Sequence, residues 1–213
     1  MGLAIEVGFL VDMLANDPEG VEWFEDALAA VNRVLASERL PAHVEPRTPV
    51  PARSRAALTG FPYSTLHHLR RAYAHRVRDP GWMATPFPET ENPAGDAEVE
   101  AQTEQFTSHL LCHSDSEGFY LPIDFPDVVF SSEDDDIVGG MLGSSQRLIA
   151  ELRVVAPALG IALADGELSD VEAARVNAIV AADGPMWHEC AAWIALFEAA
   201  RLSVAFETAI VFC

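Results

Sequence analysis

Two histidines four residues apart, His109 and His113, open the part of the chain richest in groups that bind metals or carry protons. Cys112 lies between them, and Asp115, Glu117 and Asp124 follow within Phe106 to Phe125, FTSHLLCHSDSEGFYLPIDF. On a helix, a spacing of four places both imidazoles on one face, a geometry that holds one metal ion. Asp115 would add an oxygen ligand. Glu117 would act as general base on a metal-bound water, with His113 beside it in the catalytic set. The cluster so read is a metal-dependent hydrolase or lyase, with His109, His113 and Asp115 holding a divalent ion such as zinc. The metalloprotease pattern needs Glu directly after the first His, and Leu110 stands there. H-x-x-x-H is also a frequent pattern by chance, and the same residues fit packed or helix-capping histidines. Cys112 reads as a small buried thiol, because neighbours on a helix point about 100° apart and do not form a nucleophile–base pair.

Two other groups carry candidate chemistry. His67, His68, Arg70, Arg71 and His75 share one helical stretch. His68, Arg71 and His75 fall on one side of it, where Arg71 would offer a forked donor to a carboxylate or phosphate. The plainer reading, and the preferred one, is a basic face that pairs with an acidic region elsewhere. Gly139 to Arg147, GGMLGSSQR, has the form of a glycine-rich turn into a helix, with Ser144 and Ser145 where an anionic cofactor would meet free backbone N–H groups. It lacks the lysine of a P-loop, and either serine explains itself as an N-cap. No G-x-S-x-G elbow is present.

The elements that must position these residues follow from periodicity and punctuation. Ala4 to Leu10 reads as a buried strand. Asp17, Pro18 and Glu19 start a helix whose stripe is Val21, Phe24, Leu28, Val31 and Leu35. Pro41 to Pro62 is an irregular connection with a short strand over Ala42 to Val44. A helix runs from Ser64 to Arg78 on Leu66, Leu69, Tyr73 and Val77, and another from Asp96 to Cys112. Phe119 to Phe125 is a strand that Pro122 demotes to an edge. Helices follow from Ser144 to about Pro157, from the capping-box pair Ser169 and Glu172 to Ala182, and over the run containing Trp187, Ile194 and Val204. The tail TAIVFC reads as a strand able to pair with the first one. The four tryptophans read as core or groove residues.

Charge is the strongest global signal. The 213 residues carry a formal net charge of −20, and all thirteen basic residues are Arg. Leu40 to Arg78 holds seven Arg and one acid, Glu45, whereas Asp79 to Gln146 holds fifteen acids and neither Arg nor Lys. The two stretches are expected to pack together and neutralise each other in part. Such a balance excludes sequence-independent binding to nucleic acid, whose phosphates would be repelled. It fits a basic protein partner. Three unpaired cysteines fit a reducing cytoplasm. No basic leader and no span long enough for a bilayer is apparent.

His113 to Phe125 (HSDSEGFYLPIDF), Gly139 to Leu148 (GGMLGSSQRL) and Ala209 to Cys213 (AIVFC) resemble a group of uncharacterised bacterial proteins. The likeness extends over nearly the full length, including the opening MGL-x-I-x-VG. It implies a single domain, residues 1–213, and brings no catalytic assignment. By size and charge the chain also resembles the small acidic immunity partners of toxins.

The expectation is therefore an α+β fold, predominantly helical with a small sheet. The leading function is a cytoplasmic acidic binding protein, in one form an immunity-type inhibitor, whose face from Glu89 to Asp136 meets a basic protein. The alternative is the metal-dependent enzyme.

Overall fold

The computed structural model describes residues 2–88, 91–131 and 136–213. The acidic turn expected at Ser131 to Asp136 lies mostly outside them, as does Glu89.

The first strand, β1 (Gly2–Val7), stops at Gly8, which adopts φ 75°. That left-handed position, open to glycine, turns the chain directly into α1 (Phe9–Asn16). The expected single strand to Leu10 is thus shorter, because the apolar run continues across a turn. α2 (Pro18–Ser37) begins as read: Asp17 caps it by accepting from the Gly20 N–H at 3.1 Å, and Phe24, Leu28, Val31 and Leu35 are buried. No strand forms over Ala42 to Val44. The His43 backbone instead bonds both ways with the Asn32 side chain, at 2.8 and 2.9 Å. β2 (Gly60–Pro62) leads into α3 (Tyr63–Arg78).

The helix expected over Asp96 to Cys112 is two shorter ones, α4 (Ala97–Thr103) and α5 (His109–Cys112). Phe106 breaks the run by adopting φ 54°, and Ser108 caps α5 by accepting from the Leu111 N–H. β3 (Gly118–Leu121), β4 (Val129–Phe130) and β5 (Met141–Ser144) follow. β3 ends before Pro122, so the proline costs no ladder bond and β3 is an interior strand rather than an edge. α6 (Ser145–Val155), α7 (Asp170–Ala181) and α8 (Trp187–Phe206) match their expected positions, and β6 (Ile210–Phe212) closes the described chain. Ser169 caps α7 through the Glu172 N–H, but Glu172 turns its carboxylate to the Ala162 N–H, so only half of a capping box forms.

The six strands lie in the order β2-β1-β6-β3-β5-β4. All neighbours are antiparallel except β3 and β5. As expected, β6 pairs with β1, with Ile5 opposite Phe212. One sheet face packs on α1 and α2, through Phe24, Val31 and Leu35 against Phe119, Leu142 and Val211. The other face meets α3, α6 and α8, through Leu66, Leu69, Leu148 and Leu196 against Ile5, Tyr120 and Ile210. α8 is apolar around most of its circumference and is buried accordingly. Trp193 at its middle donates to the Leu152 carbonyl at 2.9 Å. Trp23 on α2, by contrast, is exposed rather than core. The fold is α+β, with helices on both faces of a small mixed sheet.

Candidate functional site

The His109–His113 turn is built differently from its sequence reading. α5 is a single helical turn, and His113 follows it in extended conformation, so the two imidazoles do not share a helix face. His109 is 1% exposed. Its Nδ1 accepts from the Ser144 N–H at 3.0 Å and its Nε2 lies 3.3 Å from the Pro126 carbonyl, so both ring nitrogens are occupied. Burial lowers its pKa. His113 is 2% exposed, stacked on Tyr120 with ring centroids 4.1 Å apart. Its nitrogens face the Ser114 and Phe119 carbonyls at 2.9 and 3.3 Å. Burial pushes its pKa down to about 4, so the ring is neutral at neutral pH.

Asp115 turns away to His67, 3.1 Å distant, and Glu117 is exposed. Among the described residues, no group of three or more His, Cys, Asp or Glu side chains is placed to hold a metal ion. The structure therefore does not bring His109, His113 and Asp115 together as a ligand set, nor Glu117 to a shared metal as its base.

Helix α3 reaches this turn twice, through His67 at Asp115 and, on the buried side, through a residue that the sequence reading did not single out for it. Arg70 is buried and donates to the carbonyls of Leu110, His113 and Ser114. The available signal was its position four residues after Leu66 and three before Tyr73, on the apolar side of α3. From the opposite side, the buried carboxylate of Glu151 on α6 accepts from the N–H groups of His109 and Leu110 at 2.9 and 2.7 Å. Burial drives its pKa up to about 7, against the lowering effect of those hydrogen bonds. The turn is thus clamped between a cation on its carbonyls and a carboxylate on its amides.

The candidate anion cradle is closed as well. Ser144 is the buried N-cap of α6, accepting from the Arg147 N–H, and the Ser145 hydroxyl lies 2.7 Å from that of Ser203. Gly143 is required by packing: a Cβ there would lie 2.2 Å from the Tyr120 ring on β3. Arg71 bonds Asp96 at 2.9 Å and lies over the Phe87 ring at 4.4 Å.

What the structure leaves available is the acidic surface. α3 neutralises part of the acid-rich stretch, as charge partition implied: Arg71 takes Asp96 and Arg78 takes Glu98, while the imidazoles of His75 and His67 lie within hydrogen-bond distance of Asp96 and Asp115. Asp124 pairs with Arg147 from α6. Asp96 also caps α4 through the Glu98 N–H, and its pKa is lowered, the bonds from His75, Glu98 and Arg71 outweighing burial. Beyond these, Glu91, Glu100, Glu104, Glu117, Asp127 and Asp136 are exposed, with no cationic partner among the described residues. Eight of the thirteen Arg form ion pairs with carboxylates within the described chain, so few cations remain to offset this surface. No helix is long and apolar enough to cross a membrane.

No curated protein and no solved structure matches the chain. A family model described as "Putative DNA-mimic protein" matches residues 1–212, nearly the whole sequence. The chain belongs to this DNA-mimic family.

Proposed function

We propose that this protein binds the DNA-contacting surface of a basic protein, presenting carboxylates where that surface would otherwise meet phosphates. The observation that carries the reading is the set of exposed acids without a cationic partner at α4 and its C-cap (Glu100, Glu104) and near β4 (Asp127), in a stretch with no Arg or Lys, within a chain of net charge −20. The family description supports it. Glu100 and Glu104 stand one helical turn apart, about 6 Å along the α4 axis at 1.5 Å per residue. Phosphates of one DNA strand are spaced about 3.4 Å along the duplex axis, so Glu100 and Glu104 span roughly two phosphate steps. A cationic groove shaped for phosphates gains the same Coulombic attraction from such carboxylates.

In this reading the protein acts in the cytoplasm as an inhibitor by occupancy. An immunity-type inhibitor of one basic partner is its most concrete form. The test is competition. Host proteins retained on DNA-cellulose are applied to the immobilised protein and challenged with duplex DNA. DNA should release the bound proteins, and rising salt should do the same. Bound proteins that duplex DNA fails to displace would count against occupancy of a DNA site.

A further inference from the structure

Two exposed aromatic rings stand in the middle of this acidic edge. Phe106 is 59% exposed and Phe130 is 46% exposed, and they meet edge to face with centroids 5.8 Å apart. Phe106 adopts φ 54°, a conformation that bulky residues rarely take, and it breaks the helical run so that its ring lies outside the core. Charge mimicry alone needs no such pair. A depression lies on each side of it. One, of about 590 Å³, is lined by Val99, Thr103 and Phe106 and carries Glu100 and Glu104. The other, of about 400 Å³, is lined by Leu40, Phe125, Val129 and Phe130 and carries Glu38 and Asp127. Each has an apolar floor and two carboxylates.

A carboxylate surface without such floors would hold any cation of equal charge alike. An apolar floor beside carboxylates matches a long basic side chain, whose methylene stem packs on carbon while its charged head reaches the acid. The ring faces add a cation–π contact for the same heads. Short cations cannot satisfy both parts at once. Charge complementarity selects Lys or Arg over an uncharged chain, and the apolar lining selects their stems over a bare ammonium.

We infer that the Phe106–Phe130 ridge and its two flanking depressions form a docking site for Lys and Arg side chains of a basic protein, reading their stems as well as their charge. This inference rests on the proposed acidic-mimic function and specifies the partner's chemistry: long basic side chains around a small apolar patch.

The probes are two short peptides, one of alternating Lys and Ala, the other with diaminobutyrate in place of each Lys. They carry equal charge at mildly acid pH and differ by two methylenes per side chain. Calorimetry on the full chain should show the Lys peptide binding about tenfold more tightly, the scale set by partial burial of those methylenes. The preference should disappear in the Phe106→Ser, Phe130→Ser double variant, while binding of the shorter peptide persists. Aromatic NMR shifts of Phe106 and Phe130 on adding the Lys peptide to the unaltered protein give the same reading should the variant misfold. Equal affinity for both peptides, or a preference that survives in a folded double variant, overturns the docking site and leaves charge-based binding standing. If neither peptide binds, the acidic-mimic reading itself falls, and this inference falls with it.

Discussion

The guanidinium of Arg70 closes on the backbone carbonyl of His113, across forty-three residues of chain, with neither group exposed to solvent. The same side chain also holds the Leu110 carbonyl at 2.9 Å. Arg70→Met keeps much of the stem's volume but leaves these carbonyls without their donor. It should cost about 3 kcal/mol of stability, read as a lower urea midpoint. A shift near zero would show that water replaces the guanidinium.

Glu151 and His113 set opposite pH dependences. Glu151 has a folded pKa raised to about 7, so the stability it contributes is fully present below its unfolded value near 4.5 and is lost as pH rises towards 7. His113 has a folded pKa depressed to about 4, so its contribution is present above about 6.5 and is lost as pH falls towards 4. Each change is on the order of 3 kcal/mol. Urea midpoints of Glu151→Gln should lose the decline between pH 4.5 and 7 and keep the decline on the acid side. A variant with the unaltered pH profile would place Glu151 in contact with water.

Replacing Glu100 and Glu104 together with Gln should leave thermal unfolding unchanged, because both carboxylates are exposed and unpaired. Affinity for a basic partner should drop about tenfold and its salt dependence should flatten. Undiminished binding would move the contact surface elsewhere, for example to the exposed acids of α2.

Zinc should not raise the melting temperature, since His109 spends both ring nitrogens on the backbone and Asp115 faces His67. A rise in melting temperature on adding zinc, abolished by His113→Gln, would show that the metal set assembles in solution.

Local rules made much of the scaffold legible. Asp17 and Ser169 cap the helices that the sequence assigned to them, and the buried stripe of α2 is the one its spacing implies. The tail strand pairs with the first strand as apolar composition suggested. What escaped were features decided by tertiary contact. The residue at 106 is Phe, whose ordinary backbone preferences give no hint of a left-handed turn, so two helices read as one. Arg70 was not singled out because Arg rarely enters a core unless its donors are all met, and the carbonyls that meet them come from a distant segment. His109 and His113 looked like ligands because side-chain spacing is visible in sequence and the backbone groups that bond them are not. The acidic surface was legible as a count of charges. Which acids remain unpaired required knowing where each arginine goes.

β6 lies between β1 and β3, so the strand nearest the end of the chain fills the middle of the sheet. A polypeptide still lacking residues 210–212 has two half-sheets and a gap between them. The acid-bearing segments would then hang from an unfinished scaffold. Three residues, Ile210–Phe212, therefore join β1–β2 to β3–β5–β4, and the acid-bearing segments keep their mutual arrangement only while that strand holds both neighbours.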